Sequence, residues 1–270
     1  MLAKTLASGA GTIARHVRAG IALVLPSVCA LCGDGSWVDT ALNRSRSTLC
    51  GECESALRKT WPPRAMACRL CGMPRPLEPV PSHDVPCLRC PDPPFSFDRV
   101  VALGIYRDAI REAVVAAKLP RHSAIASAVG DLLGERVAVD CVGENFDLVT
   151  YVPTHYRRRV QRMGVGGAMT MATRVGVRLK RPCKAVLTMT RSVAKQSLLP
   201  DSERVTNVLG AFMIRKSYAW AASPDLRDRH ILIVDDVLTS GATASEITRV
   251  LKQAGANRVT LAVVARAVRR

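Results

Sequence analysis

Two adjacent carboxylates, Asp235 and Asp236, directly follow the apolar run 231–234, and a group of small and hydroxylated residues comes soon after them. The apolar run has the length and β-branching of a buried parallel strand. From Gly241 the pattern turns helical. The acids and the small-residue loop are therefore expected between the carboxyl end of a strand and the amino end of a helix, where open α/β sheets bind ligands. The loop consists of Thr239, Ser240, Gly241, Ala242 and Thr243.

This combination of residue types suits a sugar phosphate. Backbone N–H groups at a helix N-terminus, with hydroxyls nearby and a glycine that allows close approach, bind anions such as phosphate. Two carboxylates would repel a phosphate, so we expect them to accept hydrogen bonds from vicinal hydroxyls or to hold Mg²⁺ through water. The alternative is that the hydroxyls only cap a helix and the acids only end a strand.

Eight of the ten cysteines form four C-x-x-C pairs. Seventeen residues separate the first two pairs and fifteen the last two, within or close to the spacing of four-cysteine zinc sites. Two pairs can complete one tetrahedral shell of thiolates, so the pattern predicts two structural zinc ions. The predicted ligands are Cys29, Cys32, Cys50 and Cys53 for one ion and Cys68, Cys71, Cys87 and Cys90 for the other.

Disulfides and dithiol redox chemistry are the competing interpretations of the cysteines. Disulfide frameworks belong to secreted chains, and a redox C-x-x-C usually occurs once, near a βαβ unit. Four paired motifs favour zinc over both. A closed shell leaves no coordination position open, so the metal is expected to hold the fold and take no part in catalysis.

Composition changes along the 270 residues predict three parts. Residues 1–28 are expected to form a short amphipathic helix, residues 29–97 a double zinc ribbon with a linker, and residues 98–270 an α/β domain. A signal peptide is the alternative for the first part, but its apolar core, 21–25, is shorter than usual. No run approaches the roughly 18 apolar residues of a membrane span, so we expect a cytoplasmic protein.

Strands and helices alternate after residue 98. Strand patterns lie at 99–106, 147–153, 185–190 and 258–266, besides the run before the acid pair, and helical patterns at 107–118, 123–138 and 165–178. Alternation of this kind predicts a mostly parallel sheet flanked by helices.

Positive charge is concentrated in residues 155–216, which hold fourteen Lys or Arg and two Asp or Glu in a chain of formal net charge +17. Such a segment is consistent with a solvated face, with a cradle for diphosphate, or with a surface for nucleic acid. Aromatic residues for base stacking are few there, which argues against sequence-specific recognition.

The segment 231–243 closely resembles the phosphoribosyl-diphosphate (PRPP) motif of type I phosphoribosyltransferases. The resemblance implies that Asp235 and Asp236 meet the ribose hydroxyls, that residues 239–243 wrap the 5′-phosphate, and that Mg²⁺ accompanies PRPP. It also implies a diphosphate-binding loop after a central strand. That loop consists of Val152, Pro153, Thr154 and His155, and the candidate charge stabilisers are Lys118, Arg157, Arg191 and Lys195.

The whole layout, a double zinc ribbon before a phosphoribosyltransferase domain, resembles the ComF family, whose members are linked to DNA uptake in competent bacteria. Further similar stretches are "LPSVCALCG" (25–33), "FDRVVALGIYRDAIREAVVAAK" (97–118) and "RSVAKQSLLPDSERVTNVLGAF" (191–212). The resemblance implies a phosphoribosyltransferase that acts on a nitrogen nucleophile. The alternative is a catalytically weak module that handles single-stranded DNA with competence proteins.

One stretch departs from the family pattern. Where the family has Arg-Gly-Phe-Asn-Gln-Ala, this chain has "MGVGGA" (163–168), with Met163 in place of the Arg and with Gly166 and Gly167 in place of the Asn and Gln. The lost side chains are expected to border the site, so the departure bears on substrate choice and turnover.

Overall fold

A computed structural model describes residues 28–35, 48–62, 67–75, 85–119, 123–153, 167–194, 200–215 and 224–268, with the backbone alone at residues 201 and 202. The predicted N-terminal helix lies outside these ranges. The elements are, in order, α1 (Gly51–Lys59), β1 (Arg99–Ile105), α2 (Asp108–Ala117), α3 (Ser123–Asp140), β2 (Leu148–Tyr151), α4 (Gly167–Leu179), β3 (Leu187–Met189), α5 (Asp201–Val208), β4 (Phe212–Ile214), β5 (His230–Leu238), α6 (Ala242–Gln253) and β6 (Arg258–Arg266).

Four strands form one parallel sheet in the order β1-β6-β5-β2. Its two central strands, β5 and β6, are nine residues long, and six of the nine residues in each are apolar, as expected of strands covered on both faces. Strands β3 and β4 form a separate antiparallel pair. The predicted fold class, a parallel sheet flanked by helices, is confirmed.

Helices cover both faces of the sheet. One core joins α2, α3 and α4 to the sheet through residues such as Ile110, Leu133 and Met171, which pack with Leu232 and Val234. The opposite core joins α6 and the β3–β4 pair to the sheet, and Ile231, Ile233 and Ile247 are fully buried in it. The carboxyl edge of the sheet lies between these two layers.

The first four cysteines are built into the first of these cores. Cys29 and Cys50 are buried in the same cluster as Leu103 of β1 and Ile110 of α2. Polar contacts reinforce the attachment, since Arg58 of α1 forms an ion pair with Glu135 of α3 at 2.8 Å. This cysteine group therefore rests directly on the helical layer.

The second four cysteines lie near the opposite layer. Cys68, Cys71 and Met73 form a small buried cluster, and the ring of Phe95 packs against it. Phe95 also packs against the core that contains α6. Contacts thus cross the predicted boundary at residue 97 on both sides of the sheet.

Most predicted elements are present with ends that shift by a few residues. Three short elements, α1, α5 and β4, were not predicted. Strand β5 is longer than the apolar run, because Asp235 and Val237 continue the ladder with Val263 and Ala265 of β6. The acid pair therefore lies inside the end of the strand, and the expectation that it follows the strand was wrong. No helix within the described ranges has the length and apolarity needed to cross a membrane.

Candidate functional site

The acid pair lies near the carboxyl end of β5, where the strand still pairs with β6. Both carboxylates are half-buried. The backbone N–H of Asp236 donates to Oδ1 of Asp235 at 2.8 Å. The two carboxylates are consecutive in the strand, and repulsion from Asp236 acts on Asp235.

Burial and, to a smaller extent, repulsion from Asp236 raise the pKa of the Asp235 carboxyl to about 8, even though the Asp236 N–H and Lys118 act in the opposite direction. Lys118 stands at the C-terminal end of α2, and its Nζ lies 2.9 Å from Oδ2 of Asp236. The structure thus brings one predicted charge stabiliser to the acid pair. Carboxyl groups in this setting suit hydroxyl donors or a cation as partners.

The predicted phosphate loop links β5 to α6. Gly241 is the N-cap of α6 and has φ of 78°, a left-handed conformation that favours glycine. Its backbone is also covered by Phe95, because a Cβ atom at this position would overlap the phenyl ring. The Ala242 N–H lies 3.5 Å from the Ser240 hydroxyl oxygen. The first turn of α6 is therefore a backbone N–H site of the kind that binds phosphate.

The predicted diphosphate loop begins beside the acid pair. Strand β2 pairs with β5 so that Tyr151 aligns with Val234, and the Val152 N–H donates to the Val234 carbonyl at 3.1 Å. Val152 and Pro153 are thus adjacent to the residue that precedes Asp235. Thr154 and His155 lie outside the described residues.

The other predicted charge stabilisers lie at the end of α5 or outside the described residues. The Arg191 guanidinium is exposed and donates to the carbonyls of Asn207 and Leu209, at the end of α5, at 3.1 and 3.0 Å. Arg157 and Lys195 fall outside the described residues. Within the part of the chain that the structure describes, Lys118 is the predicted cation that reaches the acids.

Gly167, at a position where the related pattern has Gln, makes a close backbone contact. It begins α4, and a Cβ there would lie 2.7 Å from the carbonyl oxygen of Ala117. The residue after Ala117 is Lys118. The small residue therefore lets α4 approach the end of α2 beside the lysine that contacts Asp236. Gly166 lies outside the described residues.

Both cysteine groups have the geometry of metal sites. In each group the four sulfur atoms lie within 4.8 Å of one another. Measured pairs include Cys32 with Cys50 at 3.9 Å and Cys68 with Cys90 at 3.7 Å. A tetrahedral zinc site with Zn–S of about 2.3 Å requires S···S separations of roughly 3.8 Å, whereas a disulfide requires about 2.05 Å. Either group could hold zinc.

The electrostatics of the second group favour a thiolate at Cys68, whereas the hydrogen bond with Cys68 raises the pKa of Cys71 and burial raises that of Cys90. A hydrogen bond from Cys71 lowers the pKa of the Cys68 thiol to about 3, and the Arg75 guanidinium acts in the same direction. The Arg75 side chain is buried, with its NH2 group 3.5 Å from Cys68 Sγ. Cys141 and Cys183 lie apart from both groups, as expected for incidental thiols.

Two residues at the phosphate loop were not predicted. Phe95 stands in the sequence "PDPPFSF" (91–97), which reads as a linker, and Arg266 ends the last apolar strand. The available signals were slight: Phe95 is one of four phenylalanines in the chain, and Arg266 is a charge at the end of a run that is otherwise buried.

Comparison with known proteins supports the architecture. Residues 160–270 match the family described as the phosphoribosyl transferase domain. The chain is 29% identical over 243 residues to "DNA utilization protein YhgH" of Escherichia coli K12, covering 87% of this chain and 94% of the relative. It is 28% identical over 239 residues to the protein of the same name from Salmonella typhimurium, with the same coverage.

Two solved structures are more distantly similar. The glutamine PRPP amidotransferase from B. subtilis aligns with 52% of this chain and 26% of its own, at 21% identity and a TM-score of 0.34. A purine phosphoribosyltransferase from Pyrococcus horikoshii aligns with 52% of this chain and 73% of its own, at 17% identity and a TM-score of 0.31.

The parallel sheet and the family match make this chain a protein with a phosphoribosyltransferase domain. Two four-cysteine groups precede that domain. This arrangement is similar to that of the ComF family, so the resemblance predicted from the sequence is confirmed.

Proposed function

We propose that the protein binds PRPP together with Mg²⁺ at the carboxyl edge of β5 and transfers the phosphoribosyl group to a nitrogen nucleophile. The observation that carries this proposal is the hydrogen bond between Val152 and Val234, 3.1 Å long. Val152, where one predicted anion loop starts, thus lies next to the residue that precedes the acid pair, and the other predicted anion loop continues from the end of β5. PRPP carries anionic groups on both sides of its ribose diol, so a PRPP site needs an anion loop on each side of the acid pair.

Each part of the site has a role in binding. The carboxylates of Asp235 and Asp236 accept hydrogen bonds from the ribose hydroxyls. The N–H groups of residues 239–243 hold the 5′-phosphate, and residues 152–155 hold the diphosphate. Lys118 offsets part of the negative charge of the acids, so that an anionic ligand is less strongly repelled. Carboxylate oxygens are suitable Mg²⁺ ligands, and the ion would neutralise diphosphate charge.

The reaction needs positioning more than a reactive side chain. The bond between the anomeric carbon and the diphosphate oxygen breaks, and its electron pair leaves with diphosphate. The nitrogen lone pair forms the new bond to that carbon, and the nitrogen then releases a proton to solvent. Fixed N–H groups and cations aimed at the departing diphosphate lower the barrier.

The two cysteine groups have a structural role in this proposal. Each holds one zinc ion in a closed shell of four thiolates, which leaves no position for substrate. The zinc ions then stabilise a segment, residues 29–97, that is expected to have too small a core of its own.

A second candidate function is supported by the curated relatives, which are named as DNA utilization proteins. In that case the site binds a phosphoribosyl ligand without turnover, and the basic segment 155–216 binds single-stranded DNA with competence proteins in the cytoplasm. The glycines at 166 and 167 are consistent with a site that has lost catalytic contacts.

The deciding experiment combines PRPP binding with diphosphate release. Calorimetry with PRPP and Mg²⁺ tests the site, and release measured against a panel of amines and nucleobases tests the reaction. Lys118→Met should weaken PRPP binding. Lys252→Met is the matched control, because Lys252 is a similarly exposed lysine paired with Asp98 at 2.8 Å. Binding without release for any acceptor would favour the second function, and absence of binding would refute both.

A further inference from the structure

A buried arginine connects the second cysteine group to the phosphate loop. Nε of Arg266 donates to the Cys71 carbonyl at 2.8 Å. NH1 of the same guanidinium donates to the carbonyls of Leu238 and Thr239 at 2.9 and 2.7 Å. The bridge therefore runs from the backbone of a metal-ligand residue to the first residue of the phosphate loop.

The geometry of this bridge depends on the planar guanidinium. Arg266 is buried at the end of β6, and NH1 also donates to the Ala267 carbonyl at 2.9 Å. A buried cation is tolerated only when its donors are satisfied. Because the donors of a guanidinium form a rigid fork, a shift of the Cys71 carbonyl must either move the loop carbonyls or break a bond.

Phe95 makes a second connection, independent of the first. Its ring packs against the cluster around Cys68 and Cys71, stacks on Phe97 with centroids 4.8 Å apart, and covers Gly241. The next residue, Ser96, donates its N–H to the Ser245 hydroxyl on α6 at 3.3 Å. The segment that follows Cys90 thus lies over the loop and the start of α6.

The first cysteine group has a different position. Cys29 and Cys50 are buried with α2 and α3, on the layer of the sheet opposite α6. Loss of metal from this group would show the effect of a four-cysteine site that is attached to the other face of the sheet. The first cysteine group is therefore the internal control for coupling between metal binding and the phosphate loop.

We infer that Arg266 and Phe95 are positioning residues, and that through them the metal-bound second cysteine group holds the phosphate loop in its ligand-binding conformation. The inference rests on the proposed function where it concerns ligand affinity. The ordering of the phosphate loop by the second cysteine group does not require a bound ligand. The first cysteine group stabilises the protein without this effect.

Arg266→Met is the primary test, with Arg136→Met as the matched control. Arg136 is also buried, and its Nε donates to Asp140 at 2.8 Å in α3. In the ligand-free full-length protein, amide hydrogen exchange of residues 239–245 should accelerate in Arg266→Met and remain unchanged in Arg136→Met. Arg266→Lys should not restore slow exchange, because one ammonium cannot reproduce the fork. If Arg266→Lys restored slow exchange in full, the proposed role of the guanidinium bridge would be refuted.

Phe95→Leu provides a second variant in case Arg266→Met does not fold, with Phe146→Leu as its control, since Phe146 is a phenylalanine buried in the core on the other face of the sheet. Affinity for ribose 5-phosphate should fall about tenfold in Phe95→Leu, which corresponds to the loss of roughly one ordered hydrogen bond. If the wild-type protein binds no phosphate ligand, the proposed function fails, and hydrogen exchange still decides the inference.

The metal is tested by Cys90→Ser against Cys32→Ser. Each removes one ligand, the first from the second group and the second from the first group. Under conditions where circular dichroism shows both variants folded, Cys90→Ser should accelerate loop exchange and Cys32→Ser should not. Equal acceleration in both variants, or none in either, would overturn the inference.

Discussion

Replacement of Asp235 by Asn is expected to stabilise the ligand-free protein while it weakens the site. Burial, with repulsion from Asp236, raises the pKa of Asp235 from its ordinary 3.8 to about 8. The folded state therefore holds a proton that the unfolded state releases above pH 4. The contribution of Asp235 to the free energy of unfolding is fully present below pH 3.8 and is lost as the pH rises towards 8. Asn is neutral at every pH, so its variant avoids this loss.

The size of the effect follows from proton linkage. Where the folded state retains the proton, unfolding becomes easier by about 1.4 kcal/mol for each pH unit. The slope diminishes near the folded pKa of about 8. Between pH 6 and 8 the stability advantage of Asp235→Asn over the wild type should therefore grow by about 2 kcal/mol.

Urea unfolding at pH 6, 7 and 8 in buffer without Mg²⁺ measures this difference. Asp147→Asn is the control, because the His230 N–H lowers the pKa of Asp147 and the group stays ionised in both states across this range. Its difference from the wild type should not change with pH. PRPP should bind Asp235→Asn at least about tenfold more weakly, since a hydrogen bond to a charged group is worth roughly 1.5–3 kcal/mol. Parallel pH profiles for Asp235→Asn and the wild type would refute the reasoning.

Four further outcomes are expected. Metal analysis should find two zinc ions per chain, and chelation should destabilise the sheet as well, because the first cysteine group is part of one core and Phe95 joins the second group to the other; metal-free protein of full stability would contradict this. Gly167→Ala should displace the Ala117 carbonyl and weaken PRPP binding, whereas Gly51→Ala, which has open space at the Cβ, should not. Gly241→Val should abolish binding of inorganic phosphate, which Asp235→Asn should retain; equal loss in both would contradict separate roles for the acids and the loop. If residues 155–216 bind single-stranded DNA, log affinity should fall with log salt at a slope of about −0.7 per phosphate, and changing residues 157–159 to Ala should flatten that slope; an unchanged slope would favour a solvated face.

The elements of the sheet were predictable because local pattern determines them. Apolar runs marked β1, β5 and β6, and the positions of the acids and the small loop at a strand end followed from those runs. The extent of β5 was not predictable in the same way. Ladder hydrogen bonds join backbone groups, so Asp235 and Val237 continue the strand although the apolar run has ended.

The contacts that complete the site are long-range and leave little trace in the sequence. Arg266 and Cys71 are 195 residues apart. Phe95 lies in a stretch rich in proline, where the composition favours a linker over a packed segment. Lys118 was a candidate because of its charge, but its contact with Asp236 depends on how α2 packs against the sheet. Such packing is visible only in three dimensions.

The place of β6 in the sheet has a consequence for folding kinetics. It follows the other described strands in the chain, yet it pairs with β1 on one side and β5 on the other, and the bond between Asp98 and Val259 spans 161 residues. Pairings of such sequence separation form slowly. Until they form, two apolar strands each present an unpaired edge, and such edges favour association with other chains.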